Sequence, residues 1–267
     1  MDGKPYAIDN VPEAIILAGG QGKRMGDSQH PKVLFEVAGR PMLHWVVDAC
    51  LSAGVGRCIV VVGVGAEHVR RALADTKGCE FVEQHEQLGT GHATQMAAPL
   101  FADLPRRDVF VLAGDGPLIR PDTLDRLLNA HRAATAAATL ATALLDDPTD
   151  YGRIVRDESG EFEAIIEQRD ATELQLQIRE INPSYYCFTS DKLFNGLSRM
   201  GRNNRQGEFY LTDVPAILKS EGETVCIVDN VLAEDVRSIN TPQQLAEVDD
   251  ILRHRLDNTP NTRRKRA

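Results

Sequence analysis

The chain has no apolar run near the roughly 20 residues that a membrane helix needs, so no membrane partner is expected. Its first residues, MDGKPYAIDN, lack the hydrophobic segment of a secretory signal, and a cytoplasmic protein is the expectation. Positive charge is not in excess either. A formal net charge of −9 excludes a general nucleic-acid binder, which carries a basic face, so any anion chemistry must rest on local cations. Aromatic residues are scarce, and Trp45, the one tryptophan, is expected in the core rather than as a stacking platform. The five cysteines (Cys50, Cys58, Cys79, Cys187, Cys226) are odd in number and form no Cys-x-x-Cys pair, which predicts reduced, buried thiols. No internal repeat is present, and none of the hexapeptide kind that builds a β-helix.

What is present is centred on residues 14–34, AIILAGGQGKRMGDSQHPKVL. Ala14 to Ala18 reads as a buried strand that empties into a loop carrying Gly19, Gly20, Gly22 and Gly26. Glycines let main-chain N–H groups approach a ligand closely. Between Gly19 and Lys32 stand Lys23, Arg24 and Lys32 against one acid, Asp27, a seat suited to a polyphosphate. The spacing fits neither the P-loop nor the dinucleotide fingerprint, and a structural turn with incidental lysines stays open at this point.

With 267 residues, 42% of them hydrophobic, the chain can bury a substantial core. Helical periods alternate with short apolar runs. Strands are expected at 58–63, 79–83, 108–113, 152–155, 163–167, 184–188 and 224–228. Helices are expected from Pro41 to just before Gly54, at 67–74 and 90–100, from Asp122 or Pro121 to His131, and at 191–197, 211–220 and 241–256, with 133–145 passing from helix end into strand. This alternation predicts an α/β fold with a mostly parallel sheet covered on both faces. One domain over residues 1–258 is expected, with a nucleotide-binding half at about 12–116 and a second half at about 117–258. The basic ending, 259–267, is expected to be a solvated tail.

In such a sheet ligands bind beyond the carboxyl ends of the strands. Three segments fall there: the glycine loop, QHEQLGTGH (84–92) and GDGPL (114–118), which predicts one shared cleft. Asp115 suits Mg²⁺ held against phosphate oxygens, or else simply makes an Asp-Gly turn. Gln84, Gln87, Gly89 and Thr90 suit a base edge or ribose, or else cap a loop.

The stretches LAGGQGKRMG with PKVL, QLGTGHA, AGDGPL, YGRIVR, IIEQRDAT, EINPSYY and NRQGEFYLTDV occur in the order found in sugar-phosphate nucleotidyltransferases. Over about Ala14 to Asp249 the chain most resembles the uridyltransferase half of bifunctional N-acetylglucosamine-1-phosphate uridyltransferase/glucosamine-1-phosphate acetyltransferases, and no acetyltransferase β-helix is expected to follow. The resemblance implies a Rossmann-like nucleotidyltransferase fold, UTP and a sugar 1-phosphate as substrates, and Mg²⁺ as cofactor. It implies Leu17, Ala18, Gly19, Gly20, Ala113 and Gly114 under the nucleotide, and Gln84, Gln87, Gly89 and Thr90 around the base. Arg24 and Lys32 would meet the phosphates, Asp115 and Asn240 the metal, and Gly152, Glu167 and Asn182 the sugar. Outside the resemblance, Gly152 reads as a turn, Glu167 as a surface charge, Asn182 as a residue set before Pro183 and Asn240 as a helix N-cap. Two departures stand out: Gly116 where the family usually has valine, and Leu-Ala-Gly-Gly in place of Leu-Ala-Ala-Gly. They leave another base or sugar, or a non-catalytic sugar-nucleotide binder, as alternatives. Oligomeric state is open, since relatives assemble through the β-helix.

Overall fold

The computed structural model describes residues 11–20 and 30–258. The apolar run after Pro12 forms β1 (Glu13–Leu17), whose side chains alternate between two buried faces, Ala14 and Ile16 on one and Ile15 on the other. A hairpin of β2 (Glu36–Val37) and β3 (Arg40–Pro41) turns through Ala38 and Gly39, both at positive φ. Pro41 caps α1 (Met42–Ser52), which buries Met42, Leu43, Val46, Val47 and Cys50. Trp45 lies half-buried against this core, its indole N–H donating to the Val37 carbonyl at 2.9 Å. β4 (Arg57–Val62), α2 (Ala66–Ala72) and β5 (Cys79–Glu83) follow.

α3 (Thr90–Gln95) is shorter than the expected 90–100. Pro99 has no N–H and its ring clashes with the carbonyl four residues back, so the chain closes Ala98–Leu100 as a 3₁₀ turn instead. Then come β6 (Asp108–Ala113), α4 (Pro121–Ala133), β7 (Ala138–Ala141) and β8 (Ala143–Leu144). The remainder is β9 (Gly152–Arg156), β10 (Phe162–Ile166), α5 (Glu173–Leu176), β11 (Glu180–Asn182), β12 (Tyr185–Thr189), α6 (Ser190–Ser198), α7 (Val214–Ser220), β13 (Val225–Val228) and α8 (Pro242–Asn258).

Seven strands form the main sheet in the order β13-β7-β12-β6-β1-β4-β5. All run the same way except β12, which is antiparallel to both β6 and β7. Strands from both halves of the sequence therefore share one sheet. On one face Ile16, Val60, Val62, Phe110 and Leu112 pack with α1, α4 and the Val248–Leu252 stripe of α8. On the other, Ile15, Ile59, Val61, Val109 and Val111 pack with α3, α6 and α7. Burial on both faces explains why β1, β4 and β6 read as unbroken apolar runs rather than alternating ones. A smaller antiparallel sheet, β10-β9-β11-β8, adds Ile154, Phe162 and Ile165 to the second core. Cys50, Cys58 and Cys187 are buried and all five thiols are free.

A buried histidine sits inside this packing. His131 on α4 is fully buried, with Nδ1 3.0 Å from the Thr139 hydroxyl and Nε2 3.1 Å from that of Thr189. Burial pulls its pKa down to about 4, against 6.5 for an unperturbed imidazole; nearby Asp108 opposes the shift and Arg132 adds to it. Because the folded value lies below the unfolded one, the unfolded chain takes the proton first as pH falls. Stability is lost between about pH 6.5 and 4. Urea unfolding at pH 7 and pH 5 should differ by about 2 kcal/mol from this group, and His131→Asn should flatten that dependence. Equal pH slopes in the two proteins would show that His131 does not set it.

Candidate active site

The three strand-end segments do share a cleft, about 500 Å³ in volume. It opens beyond the carboxyl ends of β1, β5 and β6, where Leu17, Gly19, Gly20, Gln84, Gln87, Gly89, Thr90, Ala113 and Asp115 line it. Loop geometry brings the walls close. A Cβ on Gly114 would meet the Leu17 carbonyl oxygen at 2.9 Å, so only glycine lets the loop after β6 lie on β1. Ala18 is completely buried, its N–H given to the Val61 carbonyl, and it forms the layer beneath the cleft rather than its surface.

The nucleobase candidates form one hydrogen-bonded loop. The Gln84 side chain is buried and its amide donates to the Gly89 carbonyl at 3.0 Å, while Gln87 donates to the Gln84 carbonyl at 3.2 Å. Gly89, at φ +109°, occupies the N-cap of α3, and Thr90 is the first helical residue, not the cap. The Thr90 hydroxyl instead accepts the Leu211 N–H at 3.0 Å. Gly91 and Phe209 complete the strap, through Gly91 N–H to Phe209 carbonyl and Phe209 N–H to Leu88 carbonyl, both 2.8 Å.

At the end of the cleft near Asp115, Lys32 follows Pro31 on a 3₁₀ turn, and its ammonium lies between two oxygens. It pairs with the Asp115 carboxylate and donates to the Asn240 side-chain oxygen at 2.7 Å. Asn240 is thus brought opposite Asp115 across a long stretch of sequence. It is available there because Thr241, not Asn240, caps α8: the Thr241 hydroxyl accepts the Gln244 N–H, and the Gln244 side chain accepts the Asn240 and Thr241 N–H groups. Arg24 lies outside the described residues.

The segment that carries Asn240 has no regular structure, and tyrosines hold it. The Tyr151 hydroxyl donates to the Val236 carbonyl and accepts the Ser238 N–H; the Tyr185 hydroxyl donates to the Asp235 carbonyl at 3.0 Å. Arg120 and Arg255 pair with the Asp235 carboxylate, and the Ile239 N–H reaches the Asp115 carbonyl. This packing explains Gly116. A Cβ there would lie 2.9 Å from the Tyr185 oxygen, so the glycine makes room for that hydroxyl. Gly116→Val should lower the urea midpoint, and adding Tyr185→Phe should recover part of the loss, with a coupling of about 1 kcal/mol or more. Strictly additive effects would contradict the contact.

At the far end Glu167 lines the cleft and its carboxylate accepts the Thr212 hydroxyl at 3.2 Å. Burial raises its pKa, Thr212 opposes this, and Asp170, Asp213 and Glu208 add to the rise. Asn182 and Gly152, paired across β11 and β9, do not line the cleft. Asn182 supports the wall instead: its amide donates to the Tyr186 hydroxyl at 2.6 Å, and its oxygen accepts the Ser184 N–H, which holds Ser184 at φ +62°. Tyr186, Ser184, Glu208, Leu211 and Thr212 also line the cleft, and sequence reasoning misses them. The stretches EINPSYY and NRQGEFYLTDV contain them, but only the fold shows which of their side chains face inward.

The described lining carries three carboxylates, Asp115, Glu167 and Glu208, against one ammonium. A triphosphate entering it needs added positive charge. Asp115 and Asn240 offer two hard oxygens converging on one cationic point, a donor set that fits Mg²⁺. Among the described residues no group of three or more His, Cys, Asp or Glu side chains could hold a metal unaided, so such an ion would share its shell with phosphate oxygens.

Residues 14–208 match the MobA-like NTP transferase domain. The chain belongs to that family. It is 45% identical over 245 residues to Bifunctional protein GlmU of Geobacillus sp. (strain WCH70), covering 91% of this chain and 52% of that one. It is 46% identical over 245 residues, with the same coverage, to Bifunctional protein GlmU of Heliobacterium modesticaldum. The chain thus spans about half the length of the curated relatives it matches. Among solved structures it resembles one described as UDP-glucose pyrophosphorylase complexed with UDP-glucose, with a TM-score of 0.75 and 16% identity, over 92% of this chain and 99% of that one. The fold is the Rossmann-like nucleotidyltransferase fold, as the family membership implies. Among the described residues no helix is long and apolar enough to cross a membrane.

Proposed function

We propose that the protein transfers a uridylyl group from UTP to N-acetylglucosamine 1-phosphate in a Mg²⁺-dependent reaction, giving UDP-N-acetylglucosamine and pyrophosphate. The observation that carries this reading is the convergence of Lys32, Asp115 and Asn240 at one end of a cleft whose other end holds Glu167. The motif resemblance and the extended identity to the GlmU proteins support the choice of base and sugar.

A phosphate oxygen of the sugar 1-phosphate attacks the α-phosphorus of UTP. A new P–O bond forms, the bond to the bridging α–β oxygen breaks, and its electron pair leaves with pyrophosphate. No protein nucleophile is required; two mutually repelling anions must be aligned and their charge offset. Leu17, Gly19, Gly20, Ala113 and the underlying Ala18 and Gly114 form the floor for the nucleotide. Gln84, Gln87, Gly89 and Thr90 bound the base pocket, where the rigid strap fixes which edge is met. Lys32 and Arg24 receive the phosphates. Asp115 and Asn240 would hold Mg²⁺, which when bound neutralises phosphate oxygens during the displacement. The half-buried Glu167 accepts a hydrogen bond from the sugar, and Asn182 with Gly152 fixes the wall that Tyr186 presents to it.

Pyrophosphate release over four nucleoside triphosphates and several sugar 1-phosphates, with and without Mg²⁺, tests this. The expected maximum is UTP with N-acetylglucosamine 1-phosphate. A maximum at glucose 1-phosphate or at dTTP would overturn the substrate assignment, and ligand-induced thermal shifts without any pyrophosphate would mark a binding protein.

A further inference from the structure

We propose that Lys32 is a resident counter-ion for the metal site: in the metal-free protein its ammonium holds Asp115 and Asn240 together, and a divalent cation must displace it. This rests on the reading of Asp115 and Asn240 as metal ligands. Two observations carry it. The ammonium bonds both oxygens at once, and its side chain is only 14% exposed, so it sits at the point on which the two ligand oxygens converge rather than beside it.

The surroundings allow the displacement. The Lys32 backbone is anchored: Leu34 N–H bonds the Pro31 carbonyl, Phe35 N–H bonds the Lys32 carbonyl at 3.2 Å, and Val33 is buried. Its four-carbon side chain can reorient about that fixed point without moving the turn. An ammonium at the point where the two oxygens converge occupies the place of a divalent ion and repels it across a few ångströms. Metal binding therefore releases the lysine into the cleft, where it can meet the phosphates. The consequence is a coupling: the protein binds metal alone weakly, and metal and triphosphate together well, because the displaced charge finds a partner only when the phosphates are there. It also keeps Asp115 and Asn240 paired before substrate arrives.

The coupling predicts an unusual sign. Removing Lys32 harms catalysis yet tightens binding of the bare metal. Mn²⁺ alone, titrated against protein without nucleotide and followed by its paramagnetic resonance signal, reads this directly. A clamp closed about nine-tenths of the time weakens apparent affinity about tenfold, so Lys32→Met should bind Mn²⁺ about tenfold more tightly than the wild type. Lys32→Gln serves as a second variant should the methionine protein fold poorly. Asp115→Asn should lose Mn²⁺ binding in the Lys32→Met background. If the Lys32 variants bind Mn²⁺ no more tightly while Asp115→Asn abolishes binding, the counter-ion role is wrong and the metal site stands. If Asp115→Asn in the Lys32→Met background binds as well as its parent, the metal-ligand reading itself falls and the inference with it.

Discussion

Exchange of Lys32 for alanine should slow pyrophosphate release by about 10²- to 10³-fold, the loss typical when one preorganised charge donor to a developing anion is removed. Lys32 is the only cation among the described residues lining the cleft, and it faces three carboxylates there. Its loss leaves that end of the cleft without a side-chain cation other than any that residues outside the described set supply. The fold should survive, because Lys32 belongs to neither apolar core and the neighbouring Val33 keeps the turn buried. Far-UV circular dichroism and the urea midpoint should stay near those of the wild type while turnover collapses. A variant with normal turnover would remove Lys32 from the chemistry.

Gly89→Ala should be the most damaging single methyl group in the site. The residue sits at φ +109°, where a side chain is strained whatever the space. The added Cβ would also come within 2.4 Å of the Phe209 carbonyl oxygen and 2.9 Å of its nitrogen, both backbone atoms of the strap. Relief requires breaking the Leu88–Phe209–Gly91 bonds and moving the carbonyl that Gln84 holds. A loss of about 3 kcal/mol is expected from strain and overlap together, with UTP affinity falling in parallel because the base wall moves. Urea unfolding and a UTP titration measure the two effects. A wild-type midpoint with unchanged UTP affinity would mean that the strap yields freely.

The contrast among glycines shows what sequence can and cannot say. The run around Gly19 and Gly20 announces the cleft, yet a Cβ on Gly20 would meet no described atom within 4 Å, whereas Gly89 and Gly114 have backbone oxygens inside 3 Å. Spacing marks a loop; only the fold marks which glycine has no room. The longer strands are legible because β1, β4, β5 and β6 are five or six residues of mostly apolar side chains bounded by turns. The β2–β3 hairpin, β11 and α5 are not, since each element is only two to four residues long and lacks the continuous apolar run that marks β13. The stretch 184–188 reads as a strand and forms β12 with a shift of one residue, but the reversed direction of β12 is set by its neighbours β6 and β7 and leaves no mark in the residues.

The candidate site divides in the same way. Gln84, Gly89, Thr90 and Asp115 can be found from sequence because they follow strands directly, at the edge where ligands bind. Asn240 is found through resemblance, and as a bare residue it reads equally well as a cap; the structure gives that role to Thr241. Thr212 and Tyr186 reach the cleft through the packing of residues 211–213 on α3 and β10 and through the neighbouring strand β11. No local pattern carries such long-range proximity.

Transfer, and not binding alone, is the activity assigned to the cleft. UTP labelled at the α-phosphorus, incubated with N-acetylglucosamine 1-phosphate and Mg²⁺, tests it directly. The label is expected to move into UDP-N-acetylglucosamine with one unlabelled pyrophosphate released per transfer, and Asp115→Asn or omission of Mg²⁺ should stop both. Label recovered wholly as UTP, from protein that binds the nucleotide, would contradict it.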